Sequence, residues 1–213
     1  MDYRHQNRGR SAPGAVTLTA KGRRTRERIV AAAARLIWER GIAATTLDDV
    51  KAAADVSSSQ LYHYFTDKEG LVAAVVEYQA DRLVEATTEA DLSSVDNLLS
   101  WRDTVVGHAR EVNAAGGCPL GALGSQIAET DPRARTLAAA GFGRWSGAIR
   151  DGLRRMSDEG HLLPGVDPDA VAITLLAALQ GGLLIAQVHR DVEPLRTSLR
   201  TILELVGVTD KPG

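Results

Sequence analysis

SSSQLYHYFTDKEGL, residues 57–71, decides how the rest of the chain is read. Ser57 stands three residues before Gln60, the S-x-x-Q form of a capping box, in which a hydroxyl and a carboxamide satisfy amides that a helix start leaves unpaired. Leu61 and Phe65 then fall one turn apart on one face. Ser58, Ser59, Gln60, Tyr62 and His63 project elsewhere, and each carries a hydrogen-bonding group. Thr66 and Glu69 read as a further box (T-x-x-E), so one short helix is expected to end where another begins. An apolar inner face and a polar outer face are what reading base edges in a major groove demands. Lys68, in the first turn of the following helix, is placed to hold a phosphate beside free backbone amides.

Just upstream, Thr45-Thr46-Leu47-Asp48-Asp49-Val50 contains another box, Thr46 to Asp49. It opens a helix through Ala52 and Ala53 that breaks near Asp55, a residue type that tolerates the left-handed conformation. Val56 is placed to plug the corner. Helix, tight turn and short polar helix make a helix-turn-helix. Double-stranded DNA is the expected partner, through Thr46, Ser57, Ser58, Ser59, Gln60, Tyr62, His63, Tyr64 and Lys68.

TTLDDVKAAADVSSSQLYHYFTDKEGL resembles the DNA-binding region of the TetR family of bacterial transcriptional regulators, whose pattern runs T-T-x-x-x-I-A-x-x-A-G-V-S-x-G-x-L-Y-x-(H/Y)-F-x-x-K-E-x-L. Thr45, Thr46, Val56, Ser57, Leu61, Tyr62, Tyr64, Phe65, Lys68, Glu69 and Leu71 match it. Lys51, Asp55 and Ser59 depart from it, standing where Ala, Gly and Gly are usual. Because Ser59 lies on the expected base-facing surface, operator preference does not carry over from relatives with Gly there. The resemblance implies an all-α fold of nine helices, with a three-helix head and a helical ligand-binding and dimerisation body.

Composition agrees with an all-helical chain. Aromatic residues are 4% of the sequence, and alternation of β-branched residues is nowhere sustained. A single cysteine excludes an internal disulfide and fits a reducing cytoplasm. No signal peptide, and no apolar run long enough to span a bilayer, is read in the sequence. The net charge of −2 is unevenly placed: through residue 40 there are ten basic side chains against three acidic, about +7, leaving the remainder near −9. A basic end on an acidic body suits a protein that meets DNA with one end.

Residues 1–20, rich in Gly, Arg, Pro and Ala, read as a disordered arm whose arginines could enter a flanking minor groove or serve only as a solubilising tail. The head spans 21–67, its first helix running from about Arg24 to Glu39 with Ile29, Val30, Ala33, Leu36 and Ile37 inward. The body spans 68–213. A long helix leaves the head and runs to about Thr88, and others follow over about 95–115 and 118–130. A further helix runs from Pro132 to Gly160 with Leu137, Phe142, Trp145, Ile149, Leu153 and Met156 inward. Pro168 to His189 and Pro194 to about Gly207 complete the set. The last two are unusually apolar, with Ala177, Ala178, Gly181 and Gly182 permitting close approach. Either they only complete a monomer core, or they pair with a second copy as a four-helix homodimer interface.

The body resembles the LmrA/YxaF-like branch of the same family, through G-C-P-L-G-A-L at Gly117–Leu123, D-P-R-A-R at Asp131–Arg135 and L-L-A-A-L-Q-G-G-L-L at Leu175–Leu184. That branch implies repressors released by small apolar or aromatic molecules, commonly governing efflux or detoxification genes. The residues themselves point to an apolar pocket with a few convergent polar groups. Trp101, Phe142 and Trp145 are candidate walls, with Val105, Leu123 and Leu184 beside them, and His108, Cys118, Gln126 and Gln180 are candidate polar contacts. Each has a plainer alternative: the tryptophans as core, His108 as an exposed or internally satisfied histidine, Gln180 as an interface residue. Cys118 is either a small buried hydrophobe or a thiol at a helix start.

No nucleophile elbow, metal-spaced His/Cys cluster, P-loop or dinucleotide fingerprint occurs, so neither an enzyme nor a cofactor nor a metal site is expected. A ligand-released homodimeric repressor is the leading function. An effector-independent regulator or activator is the alternative, which a body without a cavity would favour.

Overall fold

The computed structural model describes residues 18–209; most of the arm expected over 1–20, with Arg4, Arg8 and Arg10, lies outside them. Among the described residues there are nine helices and no strand: α1 (Ala20–Arg40), α2 (Leu47–Ala54), α3 (Ser58–Tyr64), α4 (Lys68–Glu89), α5 (Val95–Glu111), α6 (Pro119–Ile127), α7 (Pro132–Asp158), α8 (Pro168–His189) and α9 (Glu193–Leu205).

α1 begins earlier than the expected Arg24 because Thr19 caps it, its hydroxyl accepting from the Gly22 amide at 3.1 Å. It stops at Gly41, whose φ of +82° a side chain would resist. Ile29, Val30, Ala33, Leu36 and Ile37 are all buried, and α1 packs against both α2 and α4. α4 therefore supports the head at its start and reaches the body along the rest of its length, where it packs on α7.

Three further boundaries differ from the sequence reading. Asp67, not Thr66, caps α4: its carboxylate accepts from the Gly70 amide at 2.7 Å, while the Thr66 hydroxyl turns to Asp67. A carboxylate at the N-cap also meets the positive end of the helix, which the hydroxyl one residue earlier does not. α5 ends at Glu111 rather than Ala115, because Asn113 and Ala114 both take left-handed φ values, 52° and 51°. α6 ends at Ile127 instead of near Thr130, and the chain turns so that Asp131 can cap α7 through the Ala134 amide at 2.9 Å.

Within the body, α7 packs between α4 and α8, and α8 packs on α9. Small residues set how close these helices come. A Cβ at Gly141 would meet Ala80 Cβ of α4 at 2.6 Å, one at Gly152 would meet the Leu92 carbonyl oxygen at 2.6 Å, and one at Gly182 would meet Leu195 Cα of α9 at 2.9 Å. Gly181, also expected at a close approach, meets nothing within 4 Å in the single chain. α8 is long and apolar enough to cross a bilayer by length and composition, correcting the reading that no run has that character. It is apolar on both sides for two reasons. Leu175, Leu179, Gly182 and Ala186 close the core, while Ile173 (57%), Leu184 (60%), Ile185 (46%) and Val188 (72%) stand exposed on the opposite face.

Replacing Gly152 with Ala forces α7 off the Leu92 backbone and is expected to cost roughly 1–3 kcal/mol. Gly143→Ala, on the same helix with nothing within 4 Å of the added carbon, is expected to gain up to about 1 kcal/mol. Urea unfolding of the two variants checks the pair.

Candidate nucleic-acid interface and effector cavity

α3 is held in place by its ends and by two buried side chains. Ser57 Oγ accepts from the Gln60 amide at 3.2 Å, and Gln60 Oε1 accepts from the Ser57 amide at 2.9 Å, closing the expected box. The box at α2 also closes: Thr46 Oγ1 accepts from the Asp49 amide at 3.1 Å, and Asp49 Oδ2 accepts from the Thr46 amide at 2.9 Å. Between the helices Asp55 takes φ 48° and ψ 59°, the left-handed turn anticipated for it. Arg28 of α1 donates to the Asp55 carbonyl at 3.3 Å, tying the turn to the first helix. Leu61 (1% exposed) and Phe65 (4%) anchor α3, and the Arg26 guanidinium lies 5.3 Å from the Phe65 ring centroid.

Of the nine candidate DNA contacts, Thr46, Ser57, Ser58, Ser59, Gln60, Tyr62 and His63 are exposed. Ser57 spends its hydroxyl on the cap and on Ser59 Oγ, 3.0 Å away. Gln60 has one side-chain oxygen lone pair committed to its own helix start, which leaves its NH2 group to act chiefly as a donor. Tyr62 is 54% exposed. Tyr64 is half-buried, edge-on to His63, with its hydroxyl close to Gly22 of α1. Lys68 is also half-buried, and its ammonium donates to the Ala43 carbonyl at 3.3 Å. The exposed cations Lys21, Arg23, Arg24 and Arg28 lie along α1 beside this unit.

The body contains a cavity of about 690 Å³ whose wall is drawn from α1, α4, α5, the loop into α6, and α8, with Trp145 of α7. Among the candidate effector contacts, Val105, His108, Cys118 and Trp145 line it. The others do not. Trp101 is buried outside the wall, and Phe142 stacks behind Trp145 with centroids 6.4 Å apart. Leu123 and Gln126 line a smaller recess of about 140 Å³ nearer the head. Gln180 lies over Gly121, and Leu184 faces outward on α8. Trp145 is fixed by donating from Nε1 to Thr87 Oγ1 at 2.8 Å, a buried hydrogen bond.

Sequence reasoning missed Trp38, Tyr78, Arg82 and Arg35, all of which line the cavity. The scarcity of aromatics was the available signal for Trp38 and Tyr78. Tyr78 and Arg82 also sit four residues apart on α4, where Arg82 Nη1 donates to the Tyr78 hydroxyl at 3.0 Å. Burial pushes the Cys118 thiol up, although the Gly121 amide donates to its sulfur at 3.4 Å. A protonated, enclosed thiol packs as an apolar group.

Two contacts join head and body beside the cavity. Trp38 packs against Gly116, where any Cβ would overlap its ring, and Gln126 Oε1 accepts from the Ile42 amide at 2.9 Å. Among the described residues no group of three or more His, Cys, Asp or Glu side chains could hold a metal ion.

Residues 94–202 match the family model described as "Tetracyclin repressor-like, C-terminal domain", and residues 29–75 match "Bacterial regulatory proteins, tetR family". An uncharacterized HTH-type transcriptional regulator of Mycobacterium tuberculosis is 29% identical over 193 residues, 85% of this chain and 93% of that protein. The HTH-type transcriptional repressor NemR of Escherichia coli is 25% identical over 187 residues, 86% of this chain and 94% of its own. The crystal structure of reduced NemR superposes with a TM-score of 0.76 over 86% of this chain and 98% of that one. SmeT in complex with triclosan superposes with a TM-score of 0.65 at 24% identity, over 89% of this chain and 99% of that one.

Asp67→Ala is expected to cost about 1 kcal/mol of stability by uncapping α4, and Thr66→Ala a few tenths. The Thr46 hydroxyl and amide hold the Asp49 carboxyl below its ordinary value. Its folded value thus lies below its unfolded one, so the box contributes fully at neutral pH and is lost as pH falls through that window. Circular dichroism melts from neutral to acid pH check both, with Thr46→Ala flattening the acid limb.

Proposed function

This chain belongs to the TetR family of bacterial transcriptional regulators, and on that premise we propose that it is a homodimeric repressor released from a palindromic operator by a small, largely apolar effector. The observation that carries the reading is α3: Leu61 and the capping Phe65 are buried, Ser58, Ser59, Gln60, Tyr62 and His63 stand outward, and cations of α1 flank it. Residues 21–67 act as the DNA-reading head and 68–213 as the effector and dimer body, working in the cytoplasm where the operator lies.

Base edges meet Ser58, Ser59, Gln60, Tyr62 and His63, while Lys68, Thr46 and the α1 cations meet phosphates. Gln60, with an oxygen already engaged, acts as a donor toward purine N7, guanine O6 or thymine O4. One head spans one half-site, so a second copy is needed. The exposed stripe Ile173, Leu184, Ile185 and Val188, with Leu205 of α9 (71% exposed), supports pairing through the last two helices.

The cavity supports an effector-driven release and weighs against the effector-independent alternative. Its wall includes Ala31, Ala34, Arg35 and Trp38 of α1 as well as Tyr78, Gln79, Arg82 and Leu83 of α4. A ligand there contacts the head's own first helix and the long helix leaving it. Filling the cavity favours one placement of the heads, DNA favours another, and each disfavours the other reciprocally. SmeT, which shares the fold, is known in complex with triclosan. Control of efflux or detoxification genes fits such an effector.

Lys68→Ala is expected to weaken binding to every DNA sequence and to lower the salt slope by about one unit. Gln60→Ala and Tyr62→Ala are expected to change preference at single operator positions by roughly 1–3 kcal/mol. Fluorescence-anisotropy titrations on an operator variant set check this; three unaltered variants would remove the head assignment. Leu184→Glu combined with Val188→Glu is expected to yield a folded monomer in sedimentation velocity.

A further inference from the structure

The cavity wall has a sign. Arg35 and Arg82 are among its lining residues, with His108 a further nitrogen base and Tyr78, Gln79 and Thr104 as neutral polar groups. No aspartate or glutamate is among the described residues that line it. Arg35 belongs to the basic first forty residues, whereas Arg82 and His108 lie beyond residue 40, where acidic side chains outnumber basic ones. A site built only to exclude water around a neutral ligand has no use for two guanidinium groups.

Both arginines are available to a ligand. Arg82 donates one N–H to a neutral phenol, Tyr78, with its guanidinium 5.7 Å from that ring. A guanidinium has five N–H donors, so its fork retains capacity for a planar anion. Arg35 pairs with Glu39 across 3.4 Å, but these side chains are 58% and 44% exposed, and an ion pair that open is readily exchanged. Glu85 acts on Arg82 only as a minor charge from outside the wall. The exposure of both arginines puts them toward solvent, whereas Trp145, Leu179 and Ala186 are buried on the inner wall.

We infer that the ligand is an amphiphilic carboxylate, its aromatic or alkyl body against the inner wall and its carboxylate on Arg82 and Arg35. This deepens the effector reading above and rests on it. A carboxylate at this solvent-facing rim keeps part of its hydration and gains a forked charge-assisted contact, while its apolar body is buried on the inner wall. A cationic ligand of the same shape meets two like charges and no carboxylate. A neutral one keeps the apolar contacts and loses the fork.

Calorimetric titration of the full chain with matched probes tests this. Benzene, naphthalene, biphenyl and octyl skeletons are each presented as carboxylate, primary amide and primary ammonium. On at least one skeleton the carboxylate is expected to bind about tenfold or more tighter than its amide, the ammonium binding weakest. Arg82→Met is expected to bring the carboxylate to the level of the amide while moving the amide by less than about threefold. Should that variant fail to fold, Arg35→Met takes its place, and the charge series on the unsubstituted protein decides by itself. If amide or ammonium equals the carboxylate on every skeleton that binds, the carboxylate inference falls and the effector cavity stands. If no probe binds in any form, the cavity reading falls and the inference with it.

Discussion

A helix of seven residues does not stand alone in water. α3 exists because Leu61 and Phe65 are buried in the core, and because both of its ends are closed. Everything about the head follows from that constraint. Once Leu61 and the capping Phe65 are committed inward, Ser58, Ser59, Gln60, Tyr62 and His63 point out, and they are all hydrogen-bonding types. The two consecutive capping boxes set where α2 and α3 start, and the left-handed Asp55 sets the angle between them. Orientation of the polar face is thus a by-product of core formation, with no separate device needed to hold it.

The body answers a different requirement, to pack long helices closely and still leave a chamber. Gly141, Gly152 and Gly182 let α7 approach α4 and the turn before α5, and let α8 approach α9. The gap lies elsewhere, between α1, α4, α5 and α8, with Trp145 in its wall. The hydrogen bond from Trp145 to Thr87 keeps that ring as a wall rather than a plug.

What was legible in the sequence was local. Ser57 with Gln60, Thr46 with Asp49, the stop at Asp55 and the Pro-led starts of α6, α7 and α8 depend on residues within a turn of each other, and all of these stand as read. Thr66 shows the limit of such reading. T-x-x-E is a sound pattern, but Asp67 beside it offered a better cap, and two competing local signals are decided by which one the flanking chain can reach. The cavity was far less legible, because a chamber is made by residues that no spacing relates. Trp101 and Phe142 sit on the right helices but face core or lie behind another ring, while Trp38, left off the inward face of α1, forms part of the wall. Even α8, read correctly as a helix, hid its double character: its apolarity is shared between a core face and an exposed one.

One feature of the join between head and body changes where sensitivity to ligand resides. Trp38 rests on Gly116 and lines the chamber with Ala31, Ala34 and Arg35, and the Ile42 amide is held by Gln126, so the first helix of the head forms part of the chamber wall. Under the proposed release, deaf variants, those that stay on DNA whatever fills the chamber, would have two homes, the deep body and the second half of α1. On that reading, natural drift in residues 31–42 would retune responsiveness without touching a group proposed to meet a base.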